Sequence, residues 1–197
     1  SCKEDLEAIF SWTGRITVNL FDTQLANAFL DGQFSIGYQG LVEEKKDIIL
    51  DKKETRSNWI RRPLTDSQLN YAASDVEYLI HLFEEQEKEL ITSKKMDWLT
   101  QDIDKLVLHT FEPIDNLEDL DIILTKREEN NLLNKFNEIV LNIAEREKIN
   151  PTLFFSKKNQ KNFLRLILNK READPYTAIT SWRTNLIKDQ LDKLLSE

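Results

Sequence analysis

At 197 residues, 40% of them hydrophobic and 31% charged, the chain is long enough for one large domain or two small ones, with a soluble globular composition. A formal net charge of -8 argues against a broadly basic nucleic-acid coat, and no run reaches the ~18 apolar residues of a membrane span. The single cysteine, Cys2, rules out an internal disulfide or a zinc site built from cysteines, and a reducing, cytoplasmic setting is expected.

Only 4 Gly and 4 Pro, with long Leu/Ile/Lys/Glu-rich runs, predict a mainly helical protein. The chain opens on Ser1 without an initiator Met or a signal-peptide pattern, as a fragment of a longer protein would. Residues 3–13 read as an amphipathic helix with Leu6, Ile9 and Phe10 on one side, stopped by Gly14. Ile16 to Phe21 alternates and is rich in β-branched residues, which predicts a short strand ending at Asp22. Asp22 is then the N-cap of a helix to about Leu30; Asp31-Gly32 breaks it, and another helix starts over Ser35–Val42.

Residues 43–63 form a charged loop whose later part, with Lys52, Lys53, Arg56, Arg61 and Arg62, is basic. It reads either as a solvated connector or as a phosphate-contacting rim with Trp59 anchoring it to the core. Thr65 and Gln68 make a capping box that opens a helix predicted over 66–86. Tyr71 and Asp75 lie one turn apart on it, so a phenol and a carboxylate share a face. Such a carboxylate can ligate a hard divalent cation while the phenol orients a water. Leu69, Val76, Leu79, Ile80 and Phe83 are expected to dock this helix on the core.

A further helix is predicted over 96–109, followed by a connector at 111–124. From 125 onward the pattern is helical throughout: 128–147, then 157–169 capped by Ser156, then a last pair from Pro175 carrying Ile179, Trp182, Leu186, Ile187, Leu191 and Leu194 inward. Lys157, Lys158, Lys161 and Arg165 fall on one side of a helix, with Lys170 and Arg171 at its exit. A basic face in an acidic protein is a candidate nucleic-acid contact, or else a solvated face that balances acids elsewhere.

Five segments, in order, resemble ribonuclease D: Leu20-Phe-Asp-Thr-Gln-Leu-Ala26, Ser35-Ile-Gly-Tyr38, Thr55-Arg-Ser-Asn-Trp59, Arg62-Pro-Leu64 and Tyr71-Ala-Ala-Ser-Asp-Val-Glu-Tyr-Leu79. The ending Ser181-Trp-Arg-Thr-Asn-Leu-Ile187 is similar to a tryptophan-arginine segment of some members' tails. The resemblance implies a fold that is mainly α and α+β overall: a truncated RNase H-like 3′-5′ exonuclease domain over 1–110, a connector over 111–124 and an all-helical HRDC-like domain over 125–197. It implies a 3′-5′ exoribonuclease that trims single-stranded 3′ ends of RNA such as tRNA precursors. Two divalent metal ions, Mg²⁺ or Mn²⁺, would sit in the intact active site.

By position, Asp22 and Asp75 match two of the family's metal-binding carboxylates and Tyr71 its site tyrosine. Arg56 and Arg61, with the lysines and Arg165 above, are expected to contact nucleic acid. The family's Asp-x-Glu motif is not found; Asp5 and Glu7 sit in a helix-like segment and are rejected for it. The chain alone is therefore expected to be inactive, with the second unit folding by itself and the first partly unstable. No membrane and no obligate protein partner is expected. A DNA-directed exonuclease of the same fold and a non-catalytic RNA-binding module stay open as alternatives.

Overall fold

The computed structural model describes residues 3–111, 125–169 and 174–196, and within them every regular element is helical. Helices α1 (Lys3–Thr13), α2 (Thr23–Phe29) and α3 (Tyr38–Lys46) are followed by a long loop. Then come α4 (Asp66–Glu77), α5 (Leu79–Thr92) and α6 (Met96–Phe111). The second stretch contains α7 (Lys126–Glu147), α8 (Pro151–Phe155), α9 (Lys157–Asn169), a 3-10 turn at Pro175–Ala178, and α10 (Ser181–Ser196). The connector predicted at 111–124 lies, after Phe111, outside the described residues, as do Lys170 and Arg171.

Local chemistry sets most of the helix ends. Gly14 stops α1 with φ +66, a conformation that costs a residue without Cβ little, and its N–H bonds the Phe10 carbonyl. Thr65 and Gln68 form the reciprocal capping box at α4, and Thr125 with Glu128 does the same at α7. Asn150 caps α8 with Pro151 in its first position, where a missing N–H is harmless.

Three expectations about the elements fail. Ile16–Phe21 is not a strand: Asn19 takes φ 56, which interrupts any extended run, and Val18 is 76% exposed. Alternation makes a strand only where a neighbour completes the hydrogen-bond ladder, and no strand exists among the described residues. The helix predicted over 66–86 is two helices, broken at Tyr78. The break turns α4 off the core, so its Leu69 and Val76 are exposed; on α5 Ile80 is exposed as well, while Leu82, Gln86 and Leu90 are buried. The third helix also starts later than expected, at Tyr38.

One apolar core crosses the whole chain. Ala26, Phe29, Leu90, Leu99 and Ile103 from the first stretch join Phe136, Val140, Phe154, Trp182 and Leu191 from the second. Trp182 is its centre, stacked on Trp98 at 5.0 Å and edge-on to Phe29 at 5.3 Å. A smaller cluster of Ile36, Leu41, Val42 and Leu82 supports α3 and α5, with Tyr38 and Tyr78 packed against it.

Polar ties reinforce the crossing. Asn150 bonds Ala28 and Gly32, and the buried Lys95 ammonium donates to the Phe29 carbonyl (2.8 Å) and the Lys148 carbonyl (2.6 Å). Those carbonyls end α2 and α7, where helix dipoles present partial negative charge. Burial pushes the Lys95 ammonium below the ordinary lysine range, and the Asp31 and Glu147 carboxylates oppose that shift. Lys95→Met strips both carbonyls of a partner, for an expected loss of about 2–4 kcal/mol. Urea unfolding checks this, and a loss under about 0.5 kcal/mol, the scale of an ordinary surface change, contradicts it. With core and ties shared in this way, the two stretches are expected to unfold together rather than the second standing alone.

Candidate nuclease site

Asp22 sits at the entrance of α2, 8% exposed, with Oδ1 accepting from the Gln24 N–H (2.9 Å) and the Leu25 N–H (3.0 Å). One carboxylate oxygen is thus engaged in capping, and Oδ2 carries no protein hydrogen bond to those amides. Helix α5 braces this corner: Gln86 Nε2 donates to the Thr23 carbonyl at 2.9 Å, and Phe83 meets Phe21 edge-on at 4.9 Å.

The face of α4 brings Tyr71 and Asp75 together, as the spacing predicts. Burial is the main cause that raises the Asp75 carboxyl above the ordinary carboxylate range, and a hydrogen bond from the Tyr71 side chain partly offsets it. The folded state therefore binds a proton more tightly than the unfolded chain, whose ordinary value is 3.8. Stability is highest below that value and falls as pH rises through the raised one. Asp75→Asn removes this fall, so the variant is expected to melt above the parent at neutral pH. Melting curves from acid to neutral pH test this; an Asp75→Asn variant that melts below the parent at pH 7 contradicts it.

Residues that the spacing could not reveal complete the surroundings of Tyr71. Its hydroxyl lies 3.1 Å from Thr55 Oγ1 and 3.5 Å from Gln39 Nε2, and its ring lies 5.8 Å from that of Trp59. Trp59 is half-buried and donates to the Glu54 carbonyl, so it anchors the charged loop to α4 rather than to the core. Thr55 and Trp59 stand in a quoted motif, and Gln39 follows directly on another, Ser35–Tyr38. Only the fold shows that they meet at one phenol.

The expected cations divide. Arg56 and Arg61 are exposed on the loop, and Arg62 turns its guanidinium onto the Trp59 and Arg61 carbonyls. Lys157, Lys158 and Lys161 are exposed on α9. Arg165 instead pairs with Glu129 of α7 at 2.8 Å and braces the two helices, and that hydrogen bond holds the Glu129 carboxyl below its usual range.

A pair of divalent ions needs more oxygen ligands than Asp22 and Asp75 offer. Among the described residues no group of three or more His, Cys, Asp or Glu is placed to hold a metal. These residues alone do not fit a two-metal centre.

The 3′-5′ exonuclease family matches residues 1–91. The chain is 47% identical over 107 residues to ribonuclease D of Pseudomonas paraeruginosa, covering 54% of this chain and 28% of that protein. It is 37% identical over 102 residues to ribonuclease D of Escherichia coli K12, covering 52% of this chain and 26% of that protein. The chain is similar to ribonuclease D. In fold, all of it superposes on 53% of the crystal structure of Escherichia coli RNase D, described as an exoribonuclease involved in structured RNA processing, with a TM-score of 0.55 and 22% identity. The sequence match spans little more than a quarter of these ribonuclease D relatives' own length.

Proposed function

We propose that the protein is a metal-dependent 3′-5′ exoribonuclease of the ribonuclease D type, to which this chain contributes part of the site. The observation that carries the reading is the α4 face, where Tyr71 and Asp75 meet inside a stretch matched by the 3′-5′ exonuclease family. In this reading Asp22 and Asp75 would supply two of the carboxylate ligands for divalent Mg²⁺ or Mn²⁺, whose chemistry would be to polarise water and offset developing charge. The remaining ligands would have to come from outside the described residues. Tyr71 holds the attacking water by its hydroxyl, and the Thr55 and Gln39 contacts fix the phenol's direction. Arg56 and Arg61 contact phosphates, while Lys157, Lys158 and Lys161 of an HRDC-like second half hold RNA upstream of the 3′ end.

The substrate class is RNA with a single-stranded 3′ end, tRNA precursors among them. The full-length protein is to be incubated with 5′-labelled single-stranded RNA and Mn²⁺, beside the same sequence as DNA. A ladder of RNAs shortened from the 3′ end supports the reading. Shortening of the DNA alone favours a DNA-directed exonuclease, and binding of RNA without shortening favours a non-catalytic RNA-binding module.

A further inference from the structure

The break at Tyr78 has a definite physical cause. In an uninterrupted helix the Tyr78 N–H would donate to the Ser74 carbonyl, four residues back. Both groups instead meet a single atom from another helix, and the Tyr78 N–H also reaches back to the Val76 carbonyl. The Tyr38 hydroxyl donates to the Ser74 carbonyl at 2.9 Å and accepts from the Tyr78 N–H at 3.2 Å. A side chain inserted into the hydrogen-bond ladder is one of the few recognised causes of a sharp helix break. The sequence around the break contains no Gly or Pro that would produce it otherwise.

The wedge sits one residue before Asp75 at the acceptor side and three after it at the donor side. Its ring is seated in the small core with Leu41, Val42 and Leu82, so its position is fixed by packing. The next residue, Gln39, reaches the Tyr71 hydroxyl. The first turn of α3 thus touches α4 at both Tyr71 and the turn that carries Asp75. At the other end of α4, Gln68 donates to Ser57 Oγ (2.9 Å) and the Asn58 carbonyl (3.2 Å). Between these two fastenings α4 buries almost nothing: Gln68 is its one buried residue. Its direction is set by polar contacts at its ends rather than by an apolar face.

We infer that Tyr38 is a positioning residue: its hydroxyl splits one helix into two and thereby aims the Tyr71–Asp75 face. This rests on the exonuclease reading for its consequence in catalysis, but not for the wedge itself. Tyr38→Phe keeps the ring in its pocket and removes only the inserted atom. The Tyr78 N–H and the Ser74 carbonyl then find each other, α4 and α5 join, and Tyr71 moves relative to Trp59.

Two measurements test this. In the 197-residue chain, through-hydrogen-bond NMR coupling between the Tyr78 nitrogen and the Ser74 carbonyl carbon is absent in the parent and expected in Tyr38→Phe, with weakened contacts between the Trp59 and Tyr71 rings. In the full-length protein, Tyr38→Phe is expected to lower kcat for RNA trimming about tenfold while KM stays within about twofold, as misaimed but bound substrate requires. A Tyr38→Phe chain that keeps the break and the ring contacts overturns the wedge. A joined helix with unchanged kcat overturns the positioning role. If the full-length parent never trims RNA, the exonuclease reading fails, while the coupling measurement still decides on the wedge.

Discussion

Asp102→Ala is expected to lower the unfolding free energy by about 3–5 kcal/mol, because it leaves a buried guanidinium without its counter-ion. Arg183, 15% exposed at its side chain, forks onto Asp102, 9% exposed, through both terminal nitrogens. The same guanidinium donates to the Leu153 and Phe154 carbonyls and to Thr180, and lies 4.3 Å over the Trp182 ring. Asp102 also accepts from the Trp182 indole N–H at 2.9 Å. One carboxylate on α6 therefore organises the start of α10, the end of α8 and the central tryptophan of the core.

A bidentate fork is a geometric demand as well as a charge. Arg183→Lys retains the charge but cannot make the parallel pair, and should recover little of the stability. Replacing both partners by apolar residues of similar volume, Asp102→Leu with Arg183→Met, should cost less than Asp102→Ala alone, since no charge is then left buried. Urea unfolding of the three variants checks this. A loss below about 1 kcal/mol for Asp102→Ala, the range of an exposed pair, contradicts it.

This network also shows where sequence reading reaches its limit. The tryptophan-arginine segment was visible as a motif, and Trp182 as an inward residue, but nothing local names a partner 81 positions away. The same holds for Tyr38: its hydroxyl breaks a helix whose own sequence is continuous in pattern. What was legible was short-range chemistry. The Thr65–Gln68 box, the Asp22 cap, the Gly14 stop and the one-turn spacing of Tyr71 and Asp75 depend on neighbours within four residues. Ile16–Phe21 misled because alternation reports what a segment could pair with, and the described residues hold no strand to pair it.

The candidate site divides in the same way. Its motif residues were readable in order; the fold then set Thr55 and Trp59 beside Tyr71 and added Gln39. The division of the basic groups was not readable, since Arg165 and the exposed lysines share one helix side by spacing. Only the packing of α7 on α9 shows that Arg165 faces Glu129.

The largest effect on activity is expected at Asp75. Its carboxyl is partly desolvated and held beside the Tyr71 phenol, an arrangement suited to meeting a cation or a polarised water. Asp75→Asn preserves size and hydrogen-bonding shape while removing the charge, so in the proposed exonuclease any RNA affinity supplied by distant basic groups should persist. Loss of one charge-stabilising group in a preorganised site typically costs about a hundred- to a thousandfold in rate.

The most direct measurement is single-turnover trimming of 5′-labelled RNA by the full-length protein and its Asp75→Asn variant, with binding measured in parallel. A rate at least about a hundredfold lower with RNA affinity within about twofold is the predicted result. Trimming by Asp75→Asn at the parental rate would contradict the account, and would remove the α4 face from the chemistry.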